Sequence, residues 1–222
     1  MEVGRKRRFL LDVGCGVCSY DVYLSPHFEE IVAIDVSPKM ARKALERVKS
    51  FNAKNISLIV GDVRFLPLRE KAINTCISMG VIKHIPEQPN STLKALMEIN
   101  RVVSGAVYIN DLPNLLSIDG IFYKIAIFIW TKIFRKFTTG TYLYIPSHLN
   151  HILRVAGCKQ ILWYGCGWIF PFSGILTLMP FKHIANRFYI KPVLTNLKSS
   201  EPSVRFSSLE VIYLASEEQY NK

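Results

Sequence analysis

The 222-residue sequence has little of the composition that marks disordered, fibrous or disulfide-stabilised chains. Its 12 glycines and 11 prolines are too few for a collagen-like or linker-like chain, and no repeat or low-complexity tract is visible. Because 50% of the residues are hydrophobic, a disordered chain is excluded. This length predicts one domain, or one domain with an elaborate lobe, that buries a core without disulfides or metals.

Acidic residues are absent from one long segment. Residues 120–200 carry 10 Lys and Arg and no Asp or Glu, whereas residues 1–119 carry 16 bases and 13 acids. The acid-free segment is also rich in Phe, Ile, Trp and Tyr. This combination indicates an anionic partner: membrane headgroups, a phosphorylated lipid or nucleic acid.

Cysteines are few, and their spacing matches no disulfide framework. Their number is odd, at five. Cys15 and Cys18 form a C-x-x-C pair, as in redox pairs and half-zinc sites, but no second pair completes it. His148 and His151 lie three residues apart with no third ligand in view. We therefore expect no metal site and a cytoplasmic, reducing location, in keeping with the absence of a signal-peptide pattern.

Strand and helix patterns alternate over the first 111 residues. Helix patterns cover residues 37–52, which begin with the N-cap and first-turn pair Ser37 and Pro38, and residues 90–103. The apolar runs that predict buried parallel strands cover residues 9–14, 31–36, 56–62, 74–80 and 105–111. This order predicts a parallel sheet with crossover helices and a ligand at the carboxyl ends of the strands.

The pattern changes after residue 111. A long apolar segment covers residues 115–137, a helix is predicted over 147–158, and late strands are predicted over 159–165 and 208–215. Residues 166–196 are aromatic and interrupted by proline, and no element is assigned to them.

The segment 115–137 is amphipathic when it is drawn as a helix. Its bases share one sector, opposite a broad apolar and aromatic face, although a few apolar residues lie among them; the bases are Lys124, Lys132, Arg135 and Lys136. This is the pattern of a helix lying in a membrane interface, and it is too basic and interrupted to span a membrane. The alternative is a core-facing helix whose basic face is solvated.

The glycine-containing loop LDVGCGVCS, residues 11–19, has two interpretations. In the nicotinamide-binding pattern G-x-G-x-x-G, the third glycine would fall on Ser19, so the match is poor. In the loop of S-adenosylmethionine enzymes, an acid stands two residues before the first glycine, as Asp12 stands before Gly14. Gly14 and Gly16 would let the backbone approach a ligand, although a tight strand–helix turn needs glycine too.

Acidic residues end the next two predicted strands. Asp35 ends the second strand, where a carboxylate can accept both ribose hydroxyls; the alternative is an acid at a helix N-terminus. Asp62 ends the third, where it and the backbone of Val63 can contact an adenine edge; the alternative is a turn residue. The segment SMGVIKHIPE, residues 78–87, ends the fourth strand, where the methionine part of such a ligand would lie.

Residues 10–110 resemble the class I S-adenosylmethionine-dependent methyltransferases, in particular the type 11 group. The matching segments are LDVGCG, VAIDVSPKM, GDVRFLPL, SMGVIKHIPE and NRVVSGAVYIND. The resemblance implies an α/β, Rossmann-like, seven-stranded sheet with an antiparallel last strand, helices on both faces, and a helical, apolar and basic insertion after the fifth strand. It also implies a single domain over 1–222, with a cofactor-binding core at 9–111, an acceptor lobe at 112–200, and the last strand and tail at 201–222.

The resemblance further implies S-adenosylmethionine as the cofactor and a set of residues around it. These are Asp12, Gly14, Gly16, Cys18, Asp35, Val36, Asp62, Val63 and Met79. The chain departs from the family where the third glycine of the loop is Cys18. It also departs where the first strand begins by residue 9, so the helix that precedes this strand in the family comes from elsewhere or from a longer chain.

Two residues are candidates for handling the acceptor. Methyl transfer from a sulfonium mainly needs alignment and exclusion of water, and a base only when the acceptor must lose a proton. His84 follows the fourth strand and is the candidate base, unless it packs locally in its turn. Asp111 ends the fifth predicted strand and could orient an acceptor hydroxyl or cap the next turn.

Three functions follow from these features. We expect a methyltransferase for a small, apolar or lipid-linked acceptor, acting in the cytoplasm and peripheral at an anionic membrane. The alternative of an RNA methyltransferase has the net charge of +11 in its favour, but SMGV stands where an N-P-P-Y-like tetrad for flipped bases would be. Cys18 keeps a third alternative open, a non-catalytic S-adenosylmethionine-binding protein.

Overall fold

The computed structural model describes residues 7–85, 90–113, 125, 128, 144–166 and 208–214. The strands are β1 (Arg7–Val13), β2 (Phe28–Asp35), β3 (Ile56–Val60), β4 (Ile73–Met79), β5 (Val103–Pro113), β6 (Lys159–Cys166) and β7 (Ser208–Leu214). The α-helices are α1 (Asp21–Leu24), α2 (Pro38–Ser50), α3 (Ser91–Val102) and α4 (Pro146–Val155). Short 3-10 helices cover Ser25–His27, Val63–Phe65 and Ile82–His84.

The strands form one sheet in the order β3-β2-β1-β4-β5-β7-β6. The first five strands are parallel to one another, and β7 pairs antiparallel with both β5 and β6. The chain moves outward from β1 to β2 and β3, and then returns to the other side of β1 with β4. The prediction of a Rossmann-like α/β fold is thus confirmed, and the change of direction lies between β1 and β4.

Two layers of helices enclose the sheet. On one face, Val22 of α1 and Ala44 and Val48 of α2 pack with Ala33 of β2. On the other face, α3 and α4 pack over β1, β4 and β5 in the largest apolar cluster, which includes the buried ring of Trp163. Alternate residues of β1 therefore point to opposite layers, as expected for a central strand buried on both faces.

Local signals set the ends of α2. The Ser37 hydroxyl accepts a hydrogen bond from the Met40 backbone N–H at 3.3 Å, and Pro38 opens the helix. Arg47 and Lys49 lie in the last turn, where cations stabilise the helix by interacting with the partial negative charge at its C-terminal end. The predicted helix over 37–52 is confirmed to within two residues.

One predicted boundary needs correction. The fifth strand is longer than the predicted 105–111, since Val103, which caps α3, already has extended dihedral angles and α3 passes directly into β5. Asp111 consequently lies inside β5, two residues before its end.

Much of the predicted acceptor lobe lies outside the described residues. Of the segment 115–137, the structure describes Ile125 and Phe128, both helical and exposed, and not Lys124, Lys132, Arg135 or Lys136. The helix predicted over 147–158 corresponds to α4. Among the described residues, no helix combines the length and apolarity needed to cross a membrane.

Candidate cofactor-binding site

A cleft of about 410 Å³ opens at the carboxyl ends of β1 to β4. It lies where the sheet order reverses on either side of β1, the position at which open α/β sheets bind ligands. Its walls are formed by residues from four strand ends: Val13, Gly14, Ile34, Asp35, Val36, Gly61, Asp62, Val63, Arg64, Met79, Gly80, Val81, His84 and Ile85.

The loop after β1 forms the floor of the cleft. Its backbone turns sharply, with φ of +74° at Gly14, +56° at Gly16 and +55° at Cys18. The N–H groups of Gly14 and Cys15 both donate to the Ile34 carbonyl, at 2.7 and 3.0 Å. These bonds tie the loop to the end of β2. Cys18 takes a left-handed conformation that glycine adopts at less cost, as expected for the family's third glycine position.

Val81, after β4, closes tightly over Gly14. A Cβ built on Gly14 would lie 2.2 Å from Val81 Cγ2 and 2.8 Å from Val81 Cγ1. By contrast, a Cβ built on Gly16 would have no heavy atom within 4 Å. The two glycines therefore have different roles: Gly14 lets the loops after β1 and β4 meet, whereas the space beside Gly16 is open.

Asp35 links the loop to the start of α2. Its Oδ2 accepts the Gly16 N–H at 2.9 Å, and its Oδ1 accepts the Ser37 N–H at 2.8 Å. A carboxylate offers about four lone-pair sites, so these two bonds leave acceptor capacity on the side that faces the cleft. Both predicted interpretations of this acid, helix N-terminus and ligand acceptor, are compatible with this geometry.

Asp62 caps the 3-10 helix that forms another wall. Its Oδ1 accepts the Arg64 backbone N–H at 2.9 Å, and both carboxylate oxygens accept from the Arg64 Nε at 3.0 Å. These bonds with the Arg64 side chain hold the pKa of Asp62 below its usual value, so the carboxylate is ionised at neutral pH. The cleft therefore contains a carboxylate that is already paired with a cation.

A partly buried network of hydrogen bonds from α3 supports this wall. Glu98 Oε2 accepts the Leu66 N–H at 2.9 Å, and the Arg101 guanidinium donates to the carbonyls of Leu66 and Leu68 at 3.0 and 2.9 Å. Arg101 also pairs with Glu98 at 2.8 Å. The segment after Asp62 is therefore fixed to α3 through its own backbone groups.

Two acids lie buried beneath the loop rather than in the cleft. Asp12 is 2% exposed and Asp21 is fully buried, and Asp12 Oδ1 and both Asp21 oxygens meet no hydrogen-bond donor among the described residues. Burial, followed by the adjacent Asp21 charge, raises the pKa of Asp12, and burial also raises the pKa of Asp21. These raised pKa values favour the protonated, uncharged form of the buried carboxyl groups.

Cys15 and Cys18 are free, buried thiols beside these acids. Contact with Cys15 and burial raise the pKa of Cys18, which makes it an unreactive thiol. Within the described part of the chain, no cluster of three or more His, Cys, Asp or Glu could hold a metal ion.

His84 lies at the end of the 3-10 helix after β4. Its side chain is exposed at the mouth of the cleft, and its backbone N–H donates to the Val81 carbonyl at 2.8 Å. Asp111 is described only as part of β5, and its side chain lies outside what the structure describes. His84 therefore has the access that a base would need.

The structure brings most of the predicted site residues together. Those that line the cleft are Gly14, Asp35, Val36, Asp62, Val63, Met79 and His84. Asp12, Gly16 and Cys18 do not line it; Asp12 lies in β1 beneath the loop, and Gly16 and Cys18 are part of the loop. The sequence interpretation missed Arg64 and Val81. Only the two-residue spacing of Arg64 from Asp62 could have suggested their pairing, and no local signal places Val81 over Gly14.

The residues present fit S-adenosylmethionine. The volume of about 410 Å³ is in the range for a small-molecule site. Open space beside Gly16 admits a ligand close to the backbone, and Asp35 retains acceptor capacity for hydroxyl groups. The apolar residues Val13, Ile34 and Val81 form the apolar part of the cleft wall.

A comparison with known families matches the cofactor-binding core. Residues 11–109, just under half of the chain, match the model of a methyltransferase domain. Together with the sheet order and the cleft, this match supports a class I, type 11, S-adenosylmethionine-dependent methyltransferase domain over these residues.

One curated protein and two solved structures are similar to this chain. The chain is 27% identical over 118 residues to an arsenite methyltransferase of Halobacterium salinarum, a match that spans 50% of this chain and 30% of that protein. An S-adenosylmethionine-dependent methyltransferase of Thermotoga maritima aligns over 97% of this chain and 84% of its own, with 16% identity and a TM-score of 0.60. Magnesium protoporphyrin IX methyltransferase of Synechocystis, solved with bound SAH, aligns over 95% and 75%, with 16% identity and a TM-score of 0.62.

Proposed function

We propose that the protein transfers a methyl group from S-adenosylmethionine to a small, apolar or lipid-linked acceptor. The observation that carries the proposal is the cleft at the reversal of the sheet, where Asp35 and Asp62 follow the neighbouring strands β2 and β3 on one side of Gly14, and Met79 ends β4 on the other side. Two neighbouring carboxylates on one side and apolar residues toward Met79 suit a nucleoside that carries a thioether-linked chain.

Each cleft residue has a proposed role. Asp35 accepts the ribose hydroxyls with the lone pairs that Gly16 and Ser37 leave free. Asp62 and the Val63 backbone contact the adenine edge, and Met79 faces the methionine part. Asp12 and Cys18 do not contact the ligand in this proposal; they support the loop from beneath it.

The bound cofactor would supply an activated methyl group on a sulfonium. The protein's task is to hold the acceptor in line with that group and to exclude water. His84, exposed at the mouth, is the candidate that receives the acceptor's proton when a neutral O–H or N–H is methylated. An acceptor that attacks with a free lone pair would need no base.

The proposed acceptor class rests on the composition of this chain. The relatives named above act on acceptors as different as arsenite and a magnesium porphyrin, so they favour no single class. Residues 120–200 are acid-free and aromatic, which supports an apolar acceptor with an anionic group or membrane beside it. We therefore favour an acceptor drawn from a lipid surface over an RNA acceptor.

The test is methylation of separate lipid, small-molecule and RNA extracts with isotope-labelled S-adenosylmethionine, followed by mass spectrometry. We expect label in the lipid or apolar fraction with the wild-type protein, and none with Asp35→Ala. Label in RNA alone would refute the acceptor class. Calorimetry that detects binding of neither S-adenosylmethionine nor its demethylated product would refute the proposal as a whole.

A further inference from the structure

One flank of α2 carries a column of bases. Lys39, Lys43 and Arg47 are spaced four residues apart, so at roughly 100° per residue they lie within one narrow sector. Phe51, the C-cap of α2, continues the same column. The column is about 18 Å long, because twelve residues each rise about 1.5 Å along the helix.

Among the described residues, these bases have no acidic partner. The structure gives the side chains of Lys39, Lys43 and Arg47 no ion pair or hydrogen bond within that part of the chain. Glu46, the acid within α2, lies beside Lys39, about 20° outside the sector of the three bases. Unpaired cations in a row are complementary to an extended anionic surface.

Large apolar side chains lie on the same flank. Phe51 is 47% exposed and packs edge-to-face against Tyr23 of α1, with ring centroids 5.4 Å apart. Tyr23 is itself 65% exposed, and Met40 adds an exposed thioether next to Lys39. We call the set Lys39, Met40, Lys43, Arg47, Phe51 and Tyr23 the α2 flank.

We propose that the α2 flank docks the protein on an anionic lipid bilayer. Bases interleaved with exposed aromatic and thioether groups suit the bilayer interface, where apolar groups enter the headgroup layer and cations meet lipid phosphates. Single-stranded RNA would instead rely on stacking of bases on open ring faces, and the edge-to-face contact of Tyr23 and Phe51 covers a face of one of these rings. This inference deepens the proposed function and rests on it for the choice of a lipid surface.

The position of α2 connects the surface to the cleft. The helix begins two residues after Val36, which lines the cleft, and its first base, Lys39, belongs to the column. A protein docked through this flank therefore keeps one side of the cleft close to the lipid surface. An apolar acceptor could then reach the site from the bilayer.

The test compares two double charge reversals on the same helix. Lys43→Glu with Arg47→Glu removes two bases from the α2 flank, whereas Arg42→Glu with Lys49→Glu makes the same charge change on the opposite flank. Binding to phosphatidylcholine vesicles with and without phosphatidylserine is measured by co-sedimentation at about 0.1 M salt. We expect the first variant to bind serine-containing vesicles at least about thirtyfold more weakly, since each base near such a surface contributes about fivefold.

The control variant should lose about threefold or less. Its bases lie across a helix about 10 Å wide, which is close to one Debye length at 0.1 M salt. A second pair tests the apolar part: Phe51→Ser should weaken binding equally at low and high salt, while Leu45→Ser, 45% exposed on the opposite flank, should not.

Several results would overturn the inference. These are absence of wild-type binding to serine-containing vesicles, equal losses in the two double variants, and binding of single-stranded RNA through Lys43 and Arg47 in place of vesicles. Calorimetry with the demethylated cofactor separates this inference from the proposed function. The α2 flank variants should bind the demethylated cofactor as the wild type does. If the wild type itself does not bind the demethylated cofactor, the proposed enzymatic function is contradicted.

Discussion

The contact between Gly14 and Val81 makes a sharp prediction possible, because Gly16 is a matched control. Both glycines have positive φ, +74° and +56°, so an alanine at either position carries a left-handed backbone cost of about 1–2 kcal/mol. The gain from a stiffer unfolded chain is also common to both substitutions. The difference between Gly14→Ala and Gly16→Ala therefore isolates the effect of the new methyl group.

The magnitude follows from the distances. At Gly14 the methyl would lie 2.2 and 2.8 Å from the two Val81 methyls, and at Gly16 it would meet nothing within 4 Å. Forcing an extra carbon into a packed position costs about 1–3 kcal/mol. We expect Gly16→Ala to lower the free energy of unfolding by about 1–2 kcal/mol and Gly14→Ala by about 2–5 kcal/mol.

Urea denaturation of the cofactor-free protein measures both values. Val81→Ala in the Gly14→Ala background removes the two shortest contacts and leaves the one at 3.0 Å from Val81 Cβ, so most of the extra loss should be recovered. Equal losses for the two glycine variants, or no recovery in the double variant, would refute the placement of Val81 over Gly14.

Three further substitutions probe the layers around the cleft. Cys18→Gly should leave the cofactor affinity unchanged or raise it, since Cys18 has a φ of +55°, which glycine adopts at less cost. Calorimetry measures this affinity, and a large loss would contradict this loop geometry. Asp21→Asn should flatten the fall of stability that begins as the pH rises above about 4, the ordinary aspartate pKa. Burial raises the pKa of Asp21 in the folded protein, so the unfolded chain releases this proton first and stability declines as the pH rises; urea midpoints at about pH 4 and pH 7 that change in parallel with the wild type would count against it. Arg101→Ala should lower the free energy of unfolding by about 1–3 kcal/mol, because the carbonyls of Leu66 and Leu68 lose their donors, and unchanged stability would exclude the support of this wall by α3.

Local signals in the sequence were enough for the parallel core. The apolar runs, the cap at Ser37 and the acids that follow the runs depend on neighbouring residues alone, so β1 to β4, α2 and the strand-end positions of Asp35 and Asp62 could be predicted. The boundary at Val103 could not, because α3 passes into β5 without the loop residues that mark most helix ends.

Tertiary contacts decided how the candidate residues divide between the cleft and its supports. In the sequence, Asp12, Gly14 and Gly16 lie within five residues of one another. Asp12 is nevertheless a residue of β1, and the alternation of side chains along this strand turns it away from the cleft toward Asp21 of α1. Likewise, Val81 reaches Gly14 only because β4 lies beside β1 in the sheet. The sequence by itself determined which residues stand at strand ends, since that is a local property. The pairing of distant strands and helices determined which of them meet a ligand, because those distances exist only in the folded sheet.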